Sequence, residues 1–291
     1  MLSFRDRALA TVAVVLVALG VGPAAGGSAD AVPRWAPLST ATIRPGVQMY
    51  TGDAQCTANF VFTDTAGNIY VGYAAHCAGT GSSTDTNGCT TTSRPLGTAV
   101  SFVRGGNILF AGTTVGRGTL VYSSWLSMQR LRTKDPNRCQ WNDFALVKVA
   151  AADRAKVNPT VPYWGGPRTF GGAGLSPGAP VYSVGNSSLR GGSAVQKTGT
   201  VLSRAVAGLG YEIKNANGIP GDSGSGFMDR TGRAVGVLST LSVGLNLFGT
   251  PVSNTIGDLP AEVAWARTYS GLRGLTLAHG TQAFSVSGGV R

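Results

Sequence analysis

An all-β fold, either one large unit or two small barrels, with a single helix near the C-terminus, is predicted from three observations. Glycine is abundant at 43 residues and charged residues make up only 13% of the chain, a composition that favours many short strands and turns over helices. Short β-rich runs recur along the chain with Gly, Asp or Asn turn signals between them. Once an export leader is set aside, about 260 residues remain, enough to bury a proper core.

The leader is read first. Arg5 and Arg7 precede the apolar run 8–21, and Ala29-Asp30-Ala31 fits a small-x-small cleavage site, so residues 1–31 read as a secretory signal, with a cut after Ala25 as the alternative. The apolar run is short for a membrane span. Residues 32–46 hold Pro33, Pro37 and Pro45 without periodicity and read as an extended lead-in.

A first barrel is assigned to residues 47–155. Runs 59–63 and 68–74 flank the turn signal Asp64-Thr65-Ala66-Gly67, residues 78–94 read as a loop, and 98–103, 118–122 and 143–149 continue the strand pattern. Pro159, Pro162, Pro167 and Pro177, with the Gly-rich stretch 165–174, mark a connection. A second barrel or sandwich, residues 156–255, follows from runs 180–185, 196–203, 209–214, 224–228 and 234–240. Helix is expected only at 258–269, within a C-terminal segment 256–291. There Leu259, Val263 and Ala266 share one face, Pro260 sits in the first turn and Asp258 lies near the positive end. This helix is expected to lie over the second barrel.

Charge and cysteines narrow the function. The formal charge is +11, but only Arg130, Arg132, Lys134 and Arg138 cluster, and no aromatic residues alternate with them as a nucleic-acid groove requires. The cluster reads as a solvated loop, and no nucleic-acid or membrane partner is expected after export. Four cysteines in an exported chain point to two disulfides, for which three pairings exist. Cys56 and Cys77 lie at the ends of a strand-turn-strand segment and can close it, which leaves Cys89 for Cys139. Metal binding is the weaker reading, because no C-x-x-C spacing occurs and the chain has two histidines, so neither metal nor cofactor is expected.

The stretch that carries chemistry is Gly221-Asp222-Ser223-Gly224-Ser225-Gly226. Glycines around one serine make a sharp turn on which a hydroxyl stands clear, and they leave the Gly221 and Ser223 N–H groups free to face an oxyanion. A serine needs a base and a group that orients it. Tyr73-Ala74-Ala75-His76-Cys77 sets a histidine at a strand end, and Trp141-Asn142-Asp143-Phe144-Ala145-Leu146-Val147 sets an acid where burial begins. Singly, the histidine would pass for a structural residue and the aspartate for a turn residue. Their order, His76 then Asp143 then Ser223, matches one of the known triad orders.

With these motifs the sequence resembles the chymotrypsin/trypsin-like serine protease superfamily, of the secreted bacterial type. Cys56-Thr-Ala-Asn-Phe-Val-Phe and Gly236-Val-Leu-Ser-Thr-Leu support the resemblance, which covers roughly residues 46–269. It implies two six-stranded antiparallel barrels with the substrate between them, and a monomer acting on proteins or peptides. It also implies Ser223 as nucleophile, His76 as base, Asp143 as its orienting partner and the Gly221 and Ser223 N–H groups as oxyanion hole. Ser239 matches the serine that bonds the buried acid, and Asn217, Ser239, Thr240 and Leu241 match the primary pocket. A catalytically silent binding module, or an esterase with the same triad, are the alternative functions.

Departures from the family are as informative. Ile219 stands where digestive members have a pocket cysteine, and Leu241 replaces a glycine and is expected to crowd the pocket. Asn217 at the pocket floor predicts uncharged substrate side chains. No Ile-Val-Gly-Gly-like start is present to pair with the acid before the nucleophile, so Asp222 is expected to take an internal cation, Arg190 first and Arg204 second. His279 is expected at the surface.

Overall fold

The computed structural model describes residues 33–82, 85–172, 174–241 and 253–290. The expected signal segment 1–31 and the side chain of Leu241 lie outside the described residues.

Seven strands, β1 Gln48–Thr51, β2 Ala54–Thr57, β3 Val61–Thr63, β4 Ile69–Tyr73, β5 Ala99–Arg104, β6 Thr113–Ser123 and β7 Ala145–Val149, form an antiparallel sheet ordered β3-β4-β7-β6-β5-β1-β2. Its two ends meet at one corner, where Ala58 N–H donates to Val47 and Asn59 N–H to Gly72. Alternation sets its inner face: Gly116, Gly118, Leu120 and Tyr122 of β6 point inward while Arg117 and Thr119 face out. β4, flanked by β3 and β7, is buried along its whole length.

The second sheet is built from β8 Thr169–Phe170, β9 Pro180–Gly185, β10 Val195–Arg204, β11 Gly210–Lys214, β12 Gly226–Asp229, β13 Arg233–Leu241 and β14 Ser253–Asp258. The order β12-β9-β10-β11-β14-β13, with β13 pairing back onto β12, closes a six-stranded barrel, and β8 adds to β13 in parallel. Val181, Val201, Tyr211, Ile213, Phe227, Leu238 and Ile256 fill it. Val184, Met228 and Val237 of the second sheet instead join the core of the first, so the two walls are fused by apolar contact.

Among the described residues three α-helices are present rather than one. α1, Ser124–Arg130, is capped by the Ser123 hydroxyl, and α2, Pro136–Trp141, by the Asp135 carboxylate with Pro136 in the first turn. The basic cluster is therefore not a plain loop. Arg130 ends α1 and bonds the Tyr269 carbonyl, while Arg138 lies in α2 with its guanidinium 4.8 Å from the Trp265 ring. α3, Leu259–Tyr269, begins at Asp258, whose carboxylate accepts the Ala261 N–H, and packs on β13, β14 and α1. Leu259, Val263 and Ala266 are its buried stripe, and Glu262 is buried beside them. No described helix is long and apolar enough to cross a membrane.

Beyond α3 the chain turns back to the first sheet. β15, Thr276–Leu277, adds to the edge strand β3. Residues 280–290 then run along the connection between the sheets: Gly280 donates to Pro167, Gly166 to Gln282, Ser285 to Trp164, and Tyr163 and Val290 exchange two bonds.

Candidate active site

His76 and Asp143 meet because β4 and β7 are antiparallel neighbours paired Tyr73 with Ala145. The chain leaving β4 and the chain entering β7 therefore share one rim. His76 stands on the short turn Ala75–Ala78, anchored by the Cys56–Cys77 disulfide with Cα atoms 6.1 Å apart. A second disulfide, Cys89–Cys139, ties α2 to the loop between the His76 turn and β5. The half-cystine sulfurs near His76 are joined to each other and offer no thiolate to a metal.

Three donors converge on Asp143, which is 2% exposed. His76 N–H donates to Oδ1 at 2.8 Å, and Nδ1 lies 2.7 Å from Oδ2. The Ser239 hydroxyl donates to Oδ2 at 2.6 Å. Ser239 falls where the β13–β14 register shifts between Leu238 and Thr240, a bulge that re-aims its side chain. Burial alone pushes the Asp143 carboxyl up, but the His76 charge and these hydrogen bonds bring it below the ordinary aspartate range. Burial alone disfavours the imidazolium of His76, and the charge and hydrogen bond of Asp143 more than offset this, so His76 is held above its ordinary value.

Behind Asp143 stands Glu262, which the sequence reading did not single out. Its Oε1 accepts the Asp143 N–H at 2.9 Å, and among the described residues its Oε2 has no partner. Burial first, then the charges of Asp143 and Asp258, push this carboxyl well above the carboxylate range despite that N–H. A buried acid without a cation is more stable as the neutral acid.

The Ser223 turn is laid against the strand end that carries His76. Thr57, next to the half-cystine Cys56, donates its N–H to Ser223 O at 2.8 Å. Gly224 has φ +86°, and a Cβ there would lie 2.6 Å from Thr57 O and 2.9 Å from Ala74 N, so only glycine lets the turn approach this closely. Ser223 Oγ has no hydrogen-bond partner among the described residues, and neither do the Gly221 and Ser223 N–H groups.

Under this turn Asp222, 0% exposed, meets two cations. Arg190 Nη2 lies 2.7 Å and Lys197 Nζ 3.5 Å from Oδ2, while Ser187 N–H donates to Oδ1 at 3.1 Å. Arg190 was the cation expected first. Arg204 instead lies over the Tyr211 ring, and Lys197 was missed because nothing in a single strand residue announces its burial. Burial lowers the Lys197 pKa to about 8, against the charge of Asp222.

The family description for the trypsin-like peptidase domain matches residues 74–237, more than half of the chain and a span that holds His76, Asp143 and Ser223. The chain belongs to this family. The fold is shared with serine protease AL20 from an extremophilic microorganism, at 16% identity and TM-score 0.50 over 81% of this chain and 100% of that one. Thermobifida fusca protease A follows at 18% and 0.47, over 82% and 100%. Cellulomonas bogoriensis chymotrypsin stands at 17% and 0.46, over 81% and 98%. No curated protein matches the sequence.

The residues that the family resemblance assigns to the primary pocket are placed unevenly. Asn217 is exposed with φ +48°, and its carbonyl accepts Arg190 Nη2 at 2.5 Å. Asn254, absent from the sequence reading, is 1% exposed, and its amide brackets Gly218 by accepting the N–H at 2.9 Å. Thr240 pairs with the Thr255 hydroxyl. His279 is exposed.

Proposed function

We propose that this peptidase is a secreted serine endopeptidase that cleaves peptide bonds through an acyl-enzyme. The observation that carries the reading is the gathering, at one rim, of a His76–Asp143 pair and a serine turn packed on Ala74. Ser223 Oγ attacks the scissile carbonyl while His76 takes its proton and hands it to the leaving amine. Asp143 orients the ring and stabilises the imidazolium, and Ser239 and Glu262 hold Asp143. The Gly221 and Ser223 N–H groups receive the oxyanion, each contributing about 3 kcal/mol. Water, activated by His76 in turn, releases the acyl group.

Two further parts belong to the reading. Arg190 takes the place of a newly cut terminus at Asp222, so the enzyme is active without such a cut. The neutral amide of Asn217 favours uncharged side chains at the bond cleaved. Two disulfides and the leader motif support an extracellular location.

Ser223→Ala is the direct test. It is expected to abolish labelling by a fluorophosphonate probe and to leave only about 10³ to 10⁴ over the uncatalysed rate, with the fold retained by circular dichroism. Normal turnover in this variant rejects the reading.

A further inference from the structure

The Gly221 N–H can receive an oxyanion only if its peptide faces the right way. A trans peptide points its C=O and N–H in opposite directions, and Gly166–Pro167 is the only cis bond among the described residues. The orientation of the Pro220–Gly221 peptide can therefore be read from the Pro220 carbonyl. That oxygen accepts the Ser187 hydroxyl at 2.5 Å.

Ser187 is 0% exposed and belongs to the loop that follows β9. Its own N–H donates to Asp222 Oδ1, and its Oγ also accepts the Leu189 N–H at 3.0 Å. One residue thus links the Asp222–Arg190 ion pair to the peptide that presents the Gly221 N–H. The next peptide is fixed from the other sheet. Gly221 O accepts Gln55 Nε2 at 3.0 Å and Thr57 Oγ1 at 2.8 Å, and Gln55 Oε1 accepts the Ser188 N–H at 2.8 Å. Gly221 itself has φ +92° and no Cβ to resist rotation; a Cβ would lie 2.3 Å from Gln55 Oε1 and 2.9 Å from Ser187 Oγ.

We infer that Ser187 is a positioning residue for the oxyanion hole: its hydroxyl holds the Pro220 carbonyl, so the Gly221 N–H faces away from Ser187 and stays free for the developing negative charge. Without that hydroxyl the peptide is hinged on a glycine and its carbonyl has lost its partner. A rotated peptide would aim a carbonyl oxygen, rather than an N–H, at the oxyanion. The loss falls on the transition state and not on the bound substrate, because the oxyanion exists only there.

The inference rests on the function proposed above, and the experiment separates the two. Active sites are titrated with a fluorophosphonate in wild type, Ser187→Ala and Ser187→Thr, and kcat and KM on a peptide anilide are expressed per titrated site. Ser187→Ala is expected to lower kcat about 10- to 100-fold, less than or equal to the loss of a whole oxyanion donor, with KM within about twofold. Binding of a peptide aldehyde, which forms the oxyanion, should weaken by the same factor. Ser187→Thr keeps a hydroxyl in place and should restore most of kcat. A merely structural serine would lower Tm and the number of titratable sites but leave kcat per site unchanged, and that result overturns the inference. If Ser187→Ala does not fold, Ser187→Cys, a weak donor at the same place, carries the comparison, and wild-type kcat per site again overturns it. Uptake of the probe at Ser223 in wild type separates this outcome from failure of the site assignment itself.

Discussion

Asp143 and Asp222 are the same side chain at nearly the same depth, 2% and 0% exposed, yet their surroundings satisfy them in opposite ways. Asp143 is given an imidazole, a hydroxyl and an N–H, with the carboxyl of Glu262 behind it. Asp222 is given an arginine, a lysine and backbone N–H groups. Partners without fixed charge let Asp143 respond as the proton on His76 comes and goes. Fixed cations make Asp222 a tie between the serine turn and the body of the second barrel. In the mechanism proposed above, one acid serves chemistry and the other shape.

Neutralising each acid should break the comparison most sharply. Asp143→Asn is expected to lower kcat about 10⁴-fold, the scale for losing an orienting carboxylate, with a smaller loss of stability than Asp222→Asn. Asp222→Asn leaves Arg190 and Lys197 without their anion and should cost about 3 to 5 kcal/mol in denaturant unfolding. Equal effects of the two substitutions on activity and stability would refute the division of roles.

A pH profile sharpens the first half. Because Asp143 holds the His76 pKa above 6.5 and is itself held low, the base is lost to protonation while the acid stays ionised. The kcat/KM profile should therefore fall on the acid side with a midpoint above 6.5. On stability, the His76–Asp143 pair contributes most between the ordinary aspartate value of 3.8 and the ordinary histidine value of 6.5, and the contribution is lost as pH rises through the raised pKa of His76 or falls through the lowered one of Asp143.

The second half is tested by Lys197, for which the smallest change is expected. Its folded pKa, about 8, lies below the ordinary lysine value of 10.5, so between these pH values the unfolded chain binds more protons and stability rises with pH. Lys197→Met, with Arg190 still on Asp222, should remove that rise and add about 1 to 3 kcal/mol at pH 7. A lower Tm at pH 7 would show that Asp222 needs both cations.

Local chemistry made the site partly legible. His76, Asp143 and Ser223 each sit in a short motif whose glycines, alanines or cysteine state a backbone requirement, and the spacing of Cys56 and Cys77 around one hairpin is a local signal too. The supports of those residues are less legible. Ser239 is reached through the family resemblance alone, since its aim depends on a bulge that exists only when β13 pairs with β14; Lys197, Glu262 and Asn254 are polar residues whose burial depends on strands and a helix far away in sequence. α1 and α2 are too short for a periodic stripe, and their signals were caps, at Ser123 and at Asp135-Pro136. Strand runs were recovered more readily than their ends, as with β6, which extends to Thr113 and Ser123 beyond the 118–122 core of its pattern.

An endopeptidase is surrounded by copies of itself, and its weakest point would ordinarily be a proline- and glycine-rich connection such as the one between the two sheets. Here that connection is not a free strand of chain, because residues 280–290 are laddered onto 160–167 by backbone bonds, with Gly165 so close to Ala283 that no Cβ would fit. A bond must be drawn out in extended form to enter a protease cleft, and a segment already paired along its edge cannot be. Carboxyl-terminal trimming would remove that pairing, and a second cut near residues 160–170 is then expected, visible as two fragments on a denaturing gel.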